Sequence, residues 1–315
     1  MAQIRVNNVT LEYDIAGPDG APAVLLVMGF GNQMTAWPED FRQGFIAAGF
    51  RVVRFDNRDV GLTQKFSGIP SPKAVTAALA AGKKPDVPYT LNDMADDAAA
   101  LLDALGIDSA HVAGASMGGM IAQLVAIRHP AKVRSLISMM STTSEPSLPR
   151  STPEAQAALM ARPASNDKEA VVAHTLEMRK AFASTKFPHD PVKGAAIIAA
   201  NYDRSFYPEG TARQWGAILA TPPRTEALKK LHVPALVLHG SSDTLIHPDA
   251  GRHTAASIPG ATLRIIDGWG HDMPHSAMPV LLGEIIPFIT RVEQERDEAL
   301  SRPAAPGCCG AAAAQ

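Results

Sequence analysis

The sequence predicts an α/β fold, a mostly parallel central sheet flanked by helices and interrupted by an inserted helical cap. Three observations predict it. Short apolar runs at 23–28, 51–55 and 233–238 read as strands buried on both faces, as a parallel sheet requires. Amphipathic helical patterns alternate with these strands, the clearest being Leu91, Met94, Ala98, Leu101, Leu102 and Leu105. From 143 to 223 the strand pattern stops, and helical pieces separated by Pro and Ser follow one another. At 315 residues the chain has material for one large core with an insertion. The expected division is a first core part over 1–142, a cap over 143–223, a second core part over 224–300 and a disordered tail over 301–315.

In chain order, Ile4 to Val6 and Leu11 to Ile15 read as strands joined by an Asn7-Asn8 turn, and Gly17-Pro18-Asp19-Gly20 ends the hairpin. The apolar strand from Ala23 to Met28 runs into Gly29-Phe30-Gly31-Asn32, a glycine-rich loop ahead of a helix near 38–48. Arg51 to Phe55 is a further strand, followed by the charged turn Asp56 to Gly61. The acids of that turn are expected to make structural hydrogen bonds and an ion pair with Arg58. Residues 65–88 read as a long loop with one short helix, and Thr90-Leu91-Asn92-Asp93 as a capping box that opens the next helix. A strand at 108–113 and a helix from Met120 to Arg128 flank Ser116, and Val133 to Met140 is another strand. The cap pieces fall at 151–161, 167–183, 191–202 and 210–220. Strands then return at 233–238 and 261–266, before a closing helix over 279–296.

Gly114-Ala115-Ser116-Met117-Gly118 sets Ser116 in a G-x-S-x-G frame between a strand and a helix. The sharp turn raises the serine hydroxyl above the sheet edge, and glycines two before and two after avoid the collisions that side chains would make. The Met117 N–H at the helix start and the Phe30 N–H of the glycine-rich loop are the candidate oxyanion donors. A serine hydroxyl needs a base, and the base needs a partner that holds its tautomer. Asp243, after the strand ending at Leu238, and His271, in Gly268-Trp269-Gly270-His271, supply them in the order Ser, Asp, His. All three lie just beyond strand ends, where open parallel sheets collect ligand-facing groups. His239 and His247 flank Asp243 as supporting candidates, and His275 reads as a rim or capping group. Met28, Gly29, Met34, Trp215, Trp269 and Met273 are the expected pocket walls, because they neighbour these positions or lie on the cap.

Together with the Asp56-to-Gly61 turn and Ser242-Asp243, these motifs resemble the α/β-hydrolase superfamily. Met28-Gly29, Trp37-Pro38 and Arg54-Phe55-Asp56-Asn57-Arg58-Asp59 are similar to the bacterial branch that includes aclacinomycin methylesterase. Many superfamily members open the oxyanion loop with His-Gly; here Met28 replaces the histidine, which removes a polar anchor but not the backbone donor. The resemblance implies a serine carboxylesterase acting on a small-molecule ester through an acyl-enzyme, without a cofactor. Thioesterase, amidase, C–C hydrolase and cofactor-free haloperoxidase chemistry use the same triad and stay open, as does a ligand receptor on the same fold. A serine at this turn argues against epoxide hydrolases and dehalogenases, which place an aspartate there.

A net charge of -2 gives no electrostatic reason to expect nucleic acid or an anionic membrane as partner. No apolar run is long enough to span a bilayer, and the N-terminus lacks a signal-peptide core, so a cytoplasmic location is expected. Cys308 and Cys309 are the only cysteines, which excludes a disulfide framework and a Cys-ligated zinc site. No His-Glu-x-x-His or other metal spacing occurs, so no metal is expected. A homodimer is left open.

Overall fold

In the computed structural model, which describes residues 1–301, the strands are β1 (Ala2–Val6), β2 (Val9–Ala16), β3 (Ala23–Val27), β4 (Arg51–Phe55), β5 (Ala110–Ala115), β6 (Val133–Met139), β7 (Ala235–Gly240) and β8 (Thr262–Ile266). They form one sheet in the order β1-β2-β4-β3-β5-β6-β7-β8. β1 and β2 pair antiparallel, as do β2 and β4, while every neighbour from β4 to β8 is parallel. The β1–β2 hairpin turns on Asn7 and Asn8, both at positive φ (43° and 61°), a conformation that asparagine tolerates better than most residues.

Alternate residues of the central strands feed two cores. On one side Leu25, Val27, Val53 and Val112 pack with helices α3 (Leu91–Ala104) and α4 (Met117–Arg128). On the other, Val24, Leu26, Val52, Ala113, Leu236 and Leu238 pack with α1 (Glu39–Ala47) and α11 (Met278–Ser301). β3 and β5 are buried along their whole length, and each fully buried Leu or Val contributes about 1.5–3 kcal/mol. The loop at 65–88 holds the one short helix expected there, α2 (Pro72–Ala80). Asp93 accepts from both the Thr90 N–H (2.7 Å) and the Thr90 hydroxyl (2.8 Å) at the start of α3.

Between β6 and β7 the chain builds α5 (Pro153–Met160), α6 (Lys168–Lys180), α7 (Pro191–Arg204) and α8 (Pro208–Ala220), followed by the short α9 (Thr225–Leu228). The side chains of Thr152, Asp167 and Asp190 accept first-turn N–H groups, and proline opens α5, α7 and α8. The same residues that break the periodic pattern in the sequence therefore start these helices.

The structure also departs from the sequence reading at two later helices. A helix at α10 (Pro248–Ser257) had no visible pattern because its buried positions are Pro248, Ala250, Gly251, Thr254 and Ser257, whose spacing is helical but whose side chains are small. The closing helix α11 runs to Ser301 instead of stopping at 296. Residues 302–315 of the expected tail, with Cys308 and Cys309, lie outside the described residues. Among the described residues no helix is long and apolar enough to cross a membrane.

Candidate active site

Ser116 sits between β5 and α4 with φ 57° and ψ -120°, a strained backbone that costs about 1–3 kcal/mol for a non-glycine residue. Its surroundings hold it there. The Ser116 N–H donates to the Met139 carbonyl (2.9 Å), and its own carbonyl accepts from Gly119 N–H (2.9 Å) and the Ser141 hydroxyl (2.8 Å). A Cβ on Gly114 would overlap the Gly118 carbonyl, and one on Gly118 would overlap the Val27 carbonyl. Both glycines are thus required by close backbone approach.

The three candidate catalytic side chains meet in one line of hydrogen bonds. His271 Nε2 lies 2.9 Å from Ser116 Oγ, and His271 Nδ1 lies 2.7 Å from Asp243 Oδ2. The Asp243 side chain is wholly buried, and its other oxygen accepts the Leu245 N–H (2.9 Å) and the Ile246 N–H (2.8 Å). Burial alone would raise its pKa, but the His271 charge and hydrogen bonds from His239 and His271 outweigh it, so Asp243 is held well below the usual carboxylate range. An ionised Asp243 keeps the proton on Nδ1 of His271, which leaves Nε2 to accept from the serine hydroxyl.

The glycine-rich loop runs directly beside the serine. A Cβ on Gly29 would lie 3.2 Å from Ser116 Cβ. Asn57 Nδ2 donates to the Met28 carbonyl (2.8 Å) and steadies the start of the loop. Among the described residues neither the Phe30 N–H nor the Met117 N–H has a hydrogen-bond partner. Two unpaired donors flank a serine whose hydroxyl bonds the histidine instead of capping its own helix. Such an arrangement suits charge that develops on an oxygen next to Ser116.

The expected wall residues divide. Trp215 and Phe30 are partly exposed and meet edge to face at 5.9 Å, and Met273 is partly exposed. Gly29 is buried against the serine, and Met28 retains only 5% of its surface. Met34 and Trp269 are corrections: each has no accessible surface, so neither borders open space. Trp269 lies in the core beside Leu238 and Met278 and donates its indole N–H to the Asp272 carbonyl (2.8 Å). Proximity in sequence to His271 could not reveal that the ring turns inward. Arg58 is a further correction. It pairs with Asp97 at 2.5 and 2.8 Å, not with the acids beside it.

The other flanking histidines have structural contacts. His239 Nε2 is 2.8 Å from the Ile246 carbonyl and 3.3 Å from Asp243 Oδ2. His247 accepts the Asp249 N–H (3.2 Å) at the start of α10, and His275 meets Asp40 (3.0 Å) at the surface. Among the described residues no group of three or more His, Cys, Asp or Glu side chains is placed to hold a metal ion.

The cap contributes contacts that no motif announced. Phe182, just past α6, accepts the His271 N–H on its carbonyl (2.7 Å) and sets its ring edge-on to the imidazole at 6.1 Å. Asp272 takes the Ser184 N–H (2.7 Å), the Ser184 hydroxyl (2.5 Å) and His189 Nε2 (2.7 Å). The acids of the charged turn face the cap as well. Asp56 pairs with Arg204 of α7 (2.7 Å), and buried Asp59 accepts Arg213 of α8 through two bonds (2.9 and 3.0 Å) and the Tyr89 hydroxyl (2.6 Å).

The family described as alpha/beta hydrolase fold matches residues 22–276. Rhodomycin D methylesterase DauP of Streptomyces sp. (strain C5) is 27% identical over 293 residues, covering 86% of this chain and 92% of its own. Among solved structures, a thermophilic esterase from Thermogutta terrifontis superposes with a TM-score of 0.67 at 23% identity, over 93% of this chain and 99% of its own. The meta-cleavage product hydrolase CumD of Pseudomonas fluorescens IP01 has a TM-score of 0.69 at 18% identity, over 94% and 98%.

Proposed function

We propose that this chain, which belongs to the alpha/beta-hydrolase family, is a serine esterase that cleaves carboxylic esters of small or medium size through an acyl-enzyme. The observation that carries this reading is the unbroken line from Ser116 through His271 to buried Asp243, set on a strained turn between two unpaired N–H donors.

Each part has a step to perform. His271 Nε2 takes the proton as Ser116 Oγ attacks the ester carbonyl, and the carbonyl oxygen gathers negative charge facing the Phe30 and Met117 N–H groups. His271 returns the proton to the leaving alcohol as the C–O bond breaks. Water then attacks the acyl-enzyme by the same route in reverse, and the acid leaves. Asp243 stays ionised throughout and stabilises the imidazolium. Removing one donor of such an oxyanion pair costs about 10²–10³ in kcat. The apolar edge formed by Phe30 and Trp215 favours an apolar acyl or alcohol group. A relative named as a methylesterase agrees with ester chemistry.

The test pairs labelling with turnover. A fluorophosphonate should label Ser116, and Ser116→Ala should lower kcat on p-nitrophenyl butyrate by about four to six orders of magnitude while the protein stays folded. Ser116→Ala with a tenth of the original activity would overturn the mechanism.

A further inference from the structure

The loop that carries the proposed oxyanion donor Phe30 is held from two sides. On the core side Asn57 grips the Met28 carbonyl. On the other side the contacts come from the cap. Residues 29–32 form a turn closed by the Asn32 N–H on the Gly29 carbonyl (3.2 Å), with Gly31 at φ 68°. The peptide between Phe30 and Gly31 is tied at both ends. Its carbonyl accepts Asn32 Nδ2 (2.9 Å), and its N–H donates to Gln214 Oε1 (2.8 Å). Gln214 lies on α8, has no accessible surface, and donates its amide to the Arg58 carbonyl (2.8 Å). Thr211 and Trp215, one turn apart on the same helix, also reach the loop: a Cβ on Gly31 would lie 2.8 Å from Thr211 Cγ2, and Trp215 meets the Phe30 ring. The neighbouring Arg213–Asp59 pair fixes this turn of α8 to the core.

We propose that Gln214 is a positioning residue for the oxyanion hole, acting from the cap by holding the Gly31 N–H and so setting where the Phe30 N–H points. This rests on the serine-esterase reading above. The physical reason is the turn's second form. A turn with glycine at its third position can reverse its central peptide at little steric cost, and only the two bonds to that peptide select one orientation. Without the Gln214 oxygen, the Gly31 N–H loses its one protein acceptor, and one of the two bonds that held the turn in this form is gone. Reversing the central peptide changes ψ of Phe30, and without the tie to α8 the preceding Gly29–Phe30 peptide, which carries the donor N–H, is no longer held in one place against Ser116. Substrate binding does not need the donor; the charge formed in the transition state does.

The experiment compares Gln214→Met, which fills the space without an acceptor, with Gln214→Glu, which in its protonated form keeps an oxygen for the Gly31 N–H and an O–H for the Arg58 carbonyl. Fluorophosphonate titration of Ser116 counts active sites, so that kcat on p-nitrophenyl butyrate is given per folded site. Gln214→Met should lose about 30-fold in kcat with KM changed by less than about threefold, less than the roughly 10²–10³ lost when a donor is removed outright. Its inhibition constant for a trifluoromethyl ketone, which forms a tetrahedral adduct, should rise by the same factor, while that for planar butyrate stays put. Gln214→Glu should recover kcat to within about fivefold of the parent. Should Gln214→Met fail to fold, Gln214→Asn, with its amide drawn back by one methylene, is read the same way. A variant with parental kcat per site, or one that weakens butyrate as much as the ketone, overturns the proposal, as does a Glu variant no better than Met. If the parent itself is not labelled at Ser116, the esterase reading fails instead.

Discussion

Replacing Asp243 by asparagine tests the acid arm of the site most sharply. One carboxylate oxygen accepts two backbone N–H groups, from Leu245 and Ile246, and the other faces His271 Nδ1 at 2.7 Å. In Asp243→Asn the amide oxygen must keep the two N–H groups, so the NH₂ turns toward His271. An NH₂ only donates, so Nδ1 must present its lone pair and the imidazole proton moves to Nε2, where it points at Ser116 and no base remains. A wrong tautomer of this kind costs about 10⁴ in kcat, which is about 5.4 kcal/mol at 1.36 per decade. The backbone bonds survive, so the fold should weaken by no more than about 2 kcal/mol. Glu145 is the control, since some hydrolases of this fold place the acid after the earlier strand. Its carboxylate accepts the Thr225 hydroxyl (2.9 Å), and Glu145→Gln should change kcat by less than about threefold. The assay is p-nitrophenyl butyrate turnover, with Ser116→Ala as the floor. An Asp243→Asn protein keeping a tenth of its activity, or a Glu145→Gln protein falling as far, would refute the assignment.

Gly118→Ala should destabilise by about 3 kcal/mol or more, because its Cβ meets the carbonyls of Val27 and Met28, whereas Gly283→Ala in α11, with nothing within 4 Å, should stabilise by up to about 1 kcal/mol. Thermal melts would show both, and two equal shifts would refute the packing argument. Arg213→Met leaves buried Asp59 without its cation and should cost about 3–5 kcal/mol in urea unfolding, against less than about 1 kcal/mol for exposed Arg252→Met. The carboxyl of Asp243 is depressed in the folded protein, so the stability it lends is fully present above its unfolded value, about pH 4, and fades as pH falls through its folded value. The difference in unfolding free energy between the parent and Asp243→Asn should therefore shrink between pH 5 and the lowest pH at which both fold; a constant difference would contradict it. For p-nitrophenyl esters, kcat/KM should climb about fourfold per methylene, or about 0.8 kcal/mol, through short acyl chains and then drop steeply. Undiminished activity on long-chain emulsified lipids would defeat the confined-pocket reading.

By itself the sequence determined the alternation of strand and helix, the turn at Ser116 and the order of Ser116, Asp243 and His271. Each is written locally: a buried strand is a continuous apolar run, and the sharp turn needs glycine at 114 and 118 because a Cβ there strikes backbone. The helical insertion was legible through its capping residues. Helix α10 was not, because its buried face is made of small residues that carry no hydrophobic contrast. Tertiary structure alone decided which way side chains turn and which distant partner they meet. Trp269 and Met34 went to the interior, Arg58 chose Asp97, and Arg204, Arg213 and Gln214 of the cap reached back to Asp56, Asp59 and Gly31. Those partners are separated by 148, 154 and 183 positions if each cap residue is counted back to its contact (204 − 56, 213 − 59 and 214 − 31). A buried charge, or a backbone N–H, pairs with whatever complement the packed fold brings within about 3 Å, and that distance is set by how helices seat on the sheet, which no local pattern encodes.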